Sequence, residues 1–248
     1  MHLVYIYSII SVVIVSLISL VGIFTIYMND RKLKKILLYL VSFSAGALLG
    51  DVFIHLLPQI IESTGFTVKI SLYVIFGIAF SFIIEKIIHW RHCHVAEQSH
   101  IHPFSMVNLY GDTIHNFIDG IIIGASYLVN MQVGIATTVA VIMHEIPQEI
   151  GDFAVLLYGG TKKSKALFYN FLSSLSAVFG LLLALVTSSY IQAITDFLIP
   201  FAAGTFIYIA AADLIPELHK EVAIKKSIIQ LALLLLGVIV MLTLLLVG

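Results

Sequence analysis

Charge is scarce in this chain. Only 11% of its 248 residues are Asp, Glu, Lys or Arg, while 60% are hydrophobic. That leaves too little polar surface to cover a water-soluble globule of this size. Neither sign dominates, and a formal net charge of -1 provides no bulk attraction for nucleic acid. A single cysteine, Cys93, excludes an intramolecular disulfide, so no oxidising compartment is implied. No GxxxxGK[ST] phosphate loop is present, which removes the usual ATP-driven chemistry. What remains, at a mean hydropathy of +1.07, is an integral membrane protein in contact with lipid.

Taking about 20 apolar residues per crossing, the chain divides into eight candidate spans at 4–28, 36–60, 68–88, 104–129, 132–158, 164–187, 191–217 and 226–247. The expected fold is an all-α membrane protein forming one transmembrane domain over residues 1–248. The first apolar stretch has no basic region before it and reads as a spanning helix, not a cleaved signal peptide. Twelve of the thirteen Lys and Arg residues fall between, or at the adjoining ends of, spans one and two, three and four, five and six, or seven and eight; only Lys69 falls on the other side. The positive-inside rule makes the crowded side cytoplasmic and places both termini outside. The short outer N-terminus points to a prokaryotic plasma membrane.

Residues 44–59, "SAGALLGDVFIHLLPQ", align without a gap on 202–217, "AAGTFIYIAAADLIPE". The first lies in a span running outward and the second in one running inward, an inverted repeat of the kind that brackets a midplane site in transporters.

Polar residues concentrate in spans four and five. In "YGDTIHNFIDG", with His115 as reference, Asp119 falls about 40°, Asp112 about 60° and Asn116 about 100° around the helix. In "HEIPQEIGD", with His144 as reference, Gln148 falls about 40°, Asp152 about 80°, Glu145 about 100° and Glu149 about 140°. Each ionised group at the bilayer centre is costly unless paired or hydrated, and these five carboxylates have no Lys or Arg among them, so they require a cation. Imidazole, carboxylate and amide oxygen suit a divalent transition metal, and the lack of cysteine ligands argues against copper(I). The pairs His115/Asp119 and His144/Gln148 each put two donors one turn apart on a shared metal. Asn116 and Glu145 flank them and can bridge to a second ion. Asp112, Glu149 and Asp152 lead toward the cytoplasm. Pro147, lacking an N–H, is expected to kink span five beside the site. Gly120 and Gly124 give span four a face for close helix packing.

Asp51 and His55 near the outer end of span two, and Asp213 and Glu217 near the inner end of span seven, read either as pathway residues or as interfacial polar groups. The loop 89–103 holds His89, His92, His94, His100 and His102, and is read as solvated chain or as a cytoplasmic metal-capture segment.

"HNFIDG" at 115–120 and "HEIPQEIGD" at 144–152 resemble the HNxxDG and HExPHExGD motifs of the ZIP family of divalent-metal transporters, in particular its histidine-rich subfamily. The likeness extends to "GALLGDVFIHLLP" (46–58) and "AADLIPEL" (211–218), and so covers nearly the whole chain. It implies a 3+2+3 arrangement, with spans one to three inverted relative to six to eight and spans four and five forming the metal path. It further implies a binuclear centre of His115, Asn116, Asp119, His144, Glu145 and Gln148, with His55 near the entrance, Glu217 near the exit, and homodimerisation. Gln148 departs from the pattern, which has His there. A neutral amide oxygen weakens one metal position and leaves Zn2+, Fe2+, Mn2+ and Cd2+ open as cargo, with no catalytic cofactor. The competing class is an intramembrane metallohydrolase, since "HEIPQ" is one residue from HExxH with Glu145 as base. A membrane metal sensor without transport is the third reading.

Overall fold

In a bilayer an apolar run must satisfy its backbone polar groups internally, which leaves helix as the only choice for segments of this composition. The computed structural model describes residues 2–25, 30–92, 102–187 and 191–244, and among them it contains helices and no strand. In order these are α1 (His2–Ile18), which tightens into a 3-10 segment over Ser19–Thr25; α2 (Asp30–Gly50), α3 (Leu57–Thr64) and α4 (Val68–His92); α5 (Pro103–Val129) and α6 (Met131–Tyr158); α7 (Lys163–Ser174) and α8 (Ser176–Val186); α9 (Ile191–Tyr208) and α10 (Ile215–Leu218); and α11 (Ile224–Leu244). Six stretches of the described residues are long and apolar enough to cross a membrane: Leu3–Ile23, Ile36–Thr64, Val68–Ile87, Lys163–Val186, Gln192–Leu218 and Ile224–Leu244. The two longest helices, α5 and α6, have 27 and 28 residues and carry the polar stripes. Each is about 40 Å long at 1.5 Å per residue.

Glycine sets the closest helix approaches. A Cβ on Gly120 would come within 1.9 Å of the Ala177 carbonyl oxygen, and one on Gly180 within 1.9 Å of the Phe117 carbonyl oxygen, so α5 and α8 touch backbone to backbone. Gly124 continues the same seam against Ala184. Comparable contacts join α2 to α11 through Gly46 and α4 to α9 through Gly77 and Gly204. The main apolar core lies between α2, α5, α9 and their continuations, with Val41, Leu48, Ile118, Val155, Phe206 and Ile209 buried in it.

Two helices change pitch at places not anticipated above. Asp51–Leu56 and Ile209–Leu214 are π-helical, and each closes with an N–H reaching five residues back, Leu57 to Val52 and Ile215 to Ala210. Pro58 and Pro216 follow directly and cannot donate to a four-residue ladder, so the preceding turn widens. Asp51 and Ile209, the first residues of the two turns, stand opposite each other in the alignment of 44–59 on 202–217. At Pro147, by contrast, where an interruption was expected, α6 continues as one α-helix.

Candidate metal centre

α5 and α6 pack side by side, with His115 and His144 each near the middle of its helix. There the structure draws four of the six predicted ligands together. One ligand atom each of His115, Asp119, His144 and Glu145 lies within 4.8 Å of all the others. His144 Nε2 is 3.1 Å and His115 Nε2 3.7 Å from Asp119 Oδ2, while Glu145 Oε1 stands 3.4 Å from His115 Nε2 and 3.8 Å from His144 Nε2. Ligands bound tetrahedrally at about 2.0–2.1 Å from an ion sit roughly 3.3 Å apart. The spread found here brackets that spacing.

Three of the four residues are almost wholly buried; the His144 side chain keeps 16% of its exposure. Both ring nitrogens of His115 and both oxygens of Glu145 lack hydrogen-bond partners among the described residues. Buried polar atoms normally find partners, so bare donors converging on one point fit an ion that they would coordinate. The other two predicted ligands are placed differently. Asn116 is fully buried but gives its amide to Asp112, Nδ2 to Oδ1 at 2.8 Å, leaving its own Oδ1 without a partner. Gln148 is buried with Nε2 unpartnered.

Outward of the cluster, toward the α5–α6 turn, lies a cavity of about 460 Å³. Its lining on α5 runs from His115 through Asp119 to Ser126, and on α6 from His144 to Val133; Asp51 and His55 form part of the facing wall. His55 Nδ1 and Asp51 Oδ1 are 3.2 Å apart, and the His55 and His144 ring centroids 6.3 Å. Asp51 keeps Oδ2 buried without a partner. At about 30 Å³ of liquid volume per water molecule, this space admits an ion with its hydration shell.

Inward, Asp112, Glu149 and Asp152 are all buried, and each accepts from an asparagine. Asn116 donates to Asp112, Asn108 Nδ2 donates to Asp152 Oδ1 at 2.8 Å, and Asn170 Nδ2 donates to Glu149. Asn108 and Asn170 were not foreseen. Asn108 had a signal, since it lies seven residues before His115 and about 20° from it around α5. Asn170, which also bonds the Ser19 carbonyl oxygen at 3.2 Å from α7, had none. At the inner end of the bundle Asp213 is buried with Oδ2 unpartnered, and Glu217 accepts from the Tyr158 hydroxyl at 3.1 Å and pairs with Lys220. Tyr158, and Glu85 with its bond from Tyr208, were also missed.

Of the loop histidines, His94 and His100 lie outside the described residues, and the side chains of His89 and His92 are not described. His102 is exposed at the start of α5, where its ring stacks on Phe104 at 5.6 Å between centroids.

A family model described as ZIP zinc transporter matches residues 2–105 and 91–245. The chain belongs to the ZIP zinc transporter family. Among its ZIP relatives, zinc transporter ZIP13 of Pongo abelii is 34% identical over 219 residues, 82% of this chain and 65% of that protein. Zinc transporter zipt-7.1 of Caenorhabditis briggsae is 29% identical over 239 residues, 72% of this chain and 61% of that protein. Zinc transporter ZIP10 of Danio rerio is 43% identical over 110 residues, 44% of this chain and 13% of that protein. The chain thus spans less than two thirds of these ZIP proteins. All three come from animals, which runs against the prokaryotic membrane expected above and leaves the integral membrane protein as the reading carried forward.

Proposed function

We propose that this protein imports Zn2+ or a similar divalent transition metal into the cytoplasm through a site between α5 and α6. The observation that carries the reading is the convergence of His115, Asp119, His144 and Glu145, the first three of which line the end of a cavity beside α5 and α6. Family membership favours transport over the hydrolysis that "HEIPQ" suggests. Gln148 in place of a second histidine weighs the same way.

The proposed topology is eight spans in a 3+2+3 inverted repeat with both termini outside. It is supported by the twelve-to-one partition of basic residues and by the π-helical turns at corresponding positions of the two matching segments. The domain is proposed to be single, and the 89–103 loop a cytoplasmic capture segment.

The proposed centre holds two ions. The four-donor group would bind the first, with Glu145 Oε2, Asn116 Oδ1 and the Gln148 amide oxygen available to a second; the first two of these atoms are buried and without hydrogen-bond partners. Asp51 and His55 would receive the ion from outside, and Asp112, Glu149, Asp152, Asp213 and Glu217 would pass it inward. Fixed carboxylates replace part of the lost hydration, and proton competition for the imidazoles would assist release. The neutral Gln148 widens the cargo toward Fe2+, Mn2+ and Cd2+.

Uptake of Zn2+ by proteoliposomes tests the reading. Wild-type protein should accumulate the ion and a His144→Ala/Glu145→Ala variant should not; equal uptake by the two would sink it.

A further inference from the structure

The cavity stops at the metal centre, and a single apolar contact stands where it stops. None of its lining residues on α5 or α6 lies inward of His115 or His144. Directly beside His115 is the ring of Phe206 from α9, 4.9 Å between centroids and 43° between planes, buried to 2% exposure. The next turn of α5 inward has Gly111 at the contact. A Cβ there would come 2.5 Å from Ile209 Cδ1 and 3.7 Å from the Phe206 ring, so α9 seats Phe206 and Ile209 directly against the α5 backbone. Ile209 begins the second π-helical turn, and both side chains belong to the main apolar core. Asn108, Asp112 and Asp152 lie further along α5 and α6 in the same direction.

A ligating histidine almost always fixes its ring by donating its other N–H to a carboxylate, carbonyl or water. His115 has no such bond on Nδ1 among the described residues, while Nε2 faces Glu145 and Asp119 at 3.4 and 3.7 Å. The rings of Phe206 and His144 pack against it, at 4.9 and 5.5 Å between centroids.

We infer that Phe206, backed by Ile209, is the inner gate of the cavity and the residue that positions the His115 imidazole. The inference rests on the transport reading for its consequence, since an ion at His115 reaches Asp112 and Asp152 only after α9 lifts this plug from Gly111. Phe206 is a positioning and gating residue and contributes no ligand atom.

The test uses the full chain carrying Cys93→Ser, with Asn108→Cys as a reporter two turns inward of His115. In sealed vesicles with the α5–α6 turn facing the bath, an impermeant cationic methanethiosulfonate should label the reporter slowly while Phe206 is present. Phe206→Ala should raise the labelling rate at least about tenfold. Gly111→Val, whose side chain would overlap Ile209 Cδ1 and press on the edge of the Phe206 ring, should raise it as well. Phe206→Leu separates the two roles: it keeps labelling slow but shifts the visible absorption of Co2+ bound at the centre, because the His115 ring is no longer held. Labelling by Phe206→Ala at the parent rate, in protein that elutes as the parent does, overturns the gate; so does a parent labelled as fast as the variant. An unshifted Co2+ spectrum in Phe206→Leu overturns the positioning role. Loss of the transport reading would show separately, as a parent that gives no Co2+ spectrum and takes up no metal.

Discussion

The outer and inner halves of the α5–α6 seam use similar residues in opposite ways. Toward the α5–α6 turn, Asp51, His55, His115, Asp119 and His144 line a cavity, and both nitrogens of His115 and one oxygen of Asp51 lack hydrogen-bond partners among the described residues. Inward, Asp112, Glu149 and Asp152 are each tied to an asparagine amide. An amide donor bonds a carboxyl oxygen without supplying positive charge, so the inner acids are held in place by neutral partners. One half opens on a cavity, and in the other the acids are buried against asparagines.

The largest effect expected from one substitution would erase the comparison altogether. Both halves are built on α5, which is seated on α8 at Gly120 with no room for a side chain. Gly120→Val should therefore cost at least the upper end of ordinary overpacking, about 3 kcal/mol, and is checked by the yield of monodisperse protein and its thermal midpoint. A stable Gly120→Val protein would mean that the α5–α8 contact is looser than described.

Asp119→Asn attacks the outer half alone. Oδ2 of this residue is the carboxylate oxygen nearest His144 and also approaches His115, and the amide keeps its shape while removing its charge. Loss of an outer-shell partner weakens a metal site by 10–100-fold, so loss of this ligand should weaken Zn2+ binding by at least about 100-fold. Isothermal titration of the purified protein measures it. Unchanged affinity would exclude Asp119 from coordination.

How far the sequence anticipates this division depends on whether the information is periodic. The stripes on α5 and α6 are, and they identify the faces that meet and the depth at which His115 and His144 sit. Periodicity assigns a face, but it does not assign a rotamer. It therefore could not foresee that Asn116 turns its amide to Asp112 while Glu145 converges with the histidines. The other asparagine partners were hidden by distance along the chain, since Asn108 and Asp152 are 44 residues apart and Glu149 and Asn170 are 21 apart. Phe206 reads from sequence as one apolar residue among many, and only the packing of α9 gives it a role. Pro58 and Pro216 follow widened turns, yet Pro147 is the same residue in an unbroken helix. Which prolines widen a turn is decided by neighbouring helices.

Gln148→His tests why the centre is shared between two donor types. The substitution adds an imidazole one turn from His144, where the amide leaves Nε2 unpartnered in a buried position. An added nitrogen ligand favours Zn2+ over Mn2+. The ratio of their affinities, measured by competition, should rise about tenfold, equivalent to about 1.4 kcal/mol. A ratio that stays put would place Gln148 outside the coordination sphere of either ion.

The smallest effect on binding, and the one that separates the halves most cleanly, is expected from Asp152→Asn. Asp152 accepts from Asn108 through Oδ1, and an asparagine side chain retains an oxygen able to take that bond, so the helix contact survives. What changes is the charge of the inner half, two turns from His144 along α6. Across about 12 Å that charge acts on an ion at the centre more weakly than Asp119 and Glu145, which lie beside it. Zn2+ affinity should therefore fall less than in Asp119→Asn. The uptake rate should fall, because an ion leaving the centre meets one less carboxylate on its way inward. Affinity and uptake falling together would mean that the two halves act as one site, and uptake unchanged would remove Asp152 from the path.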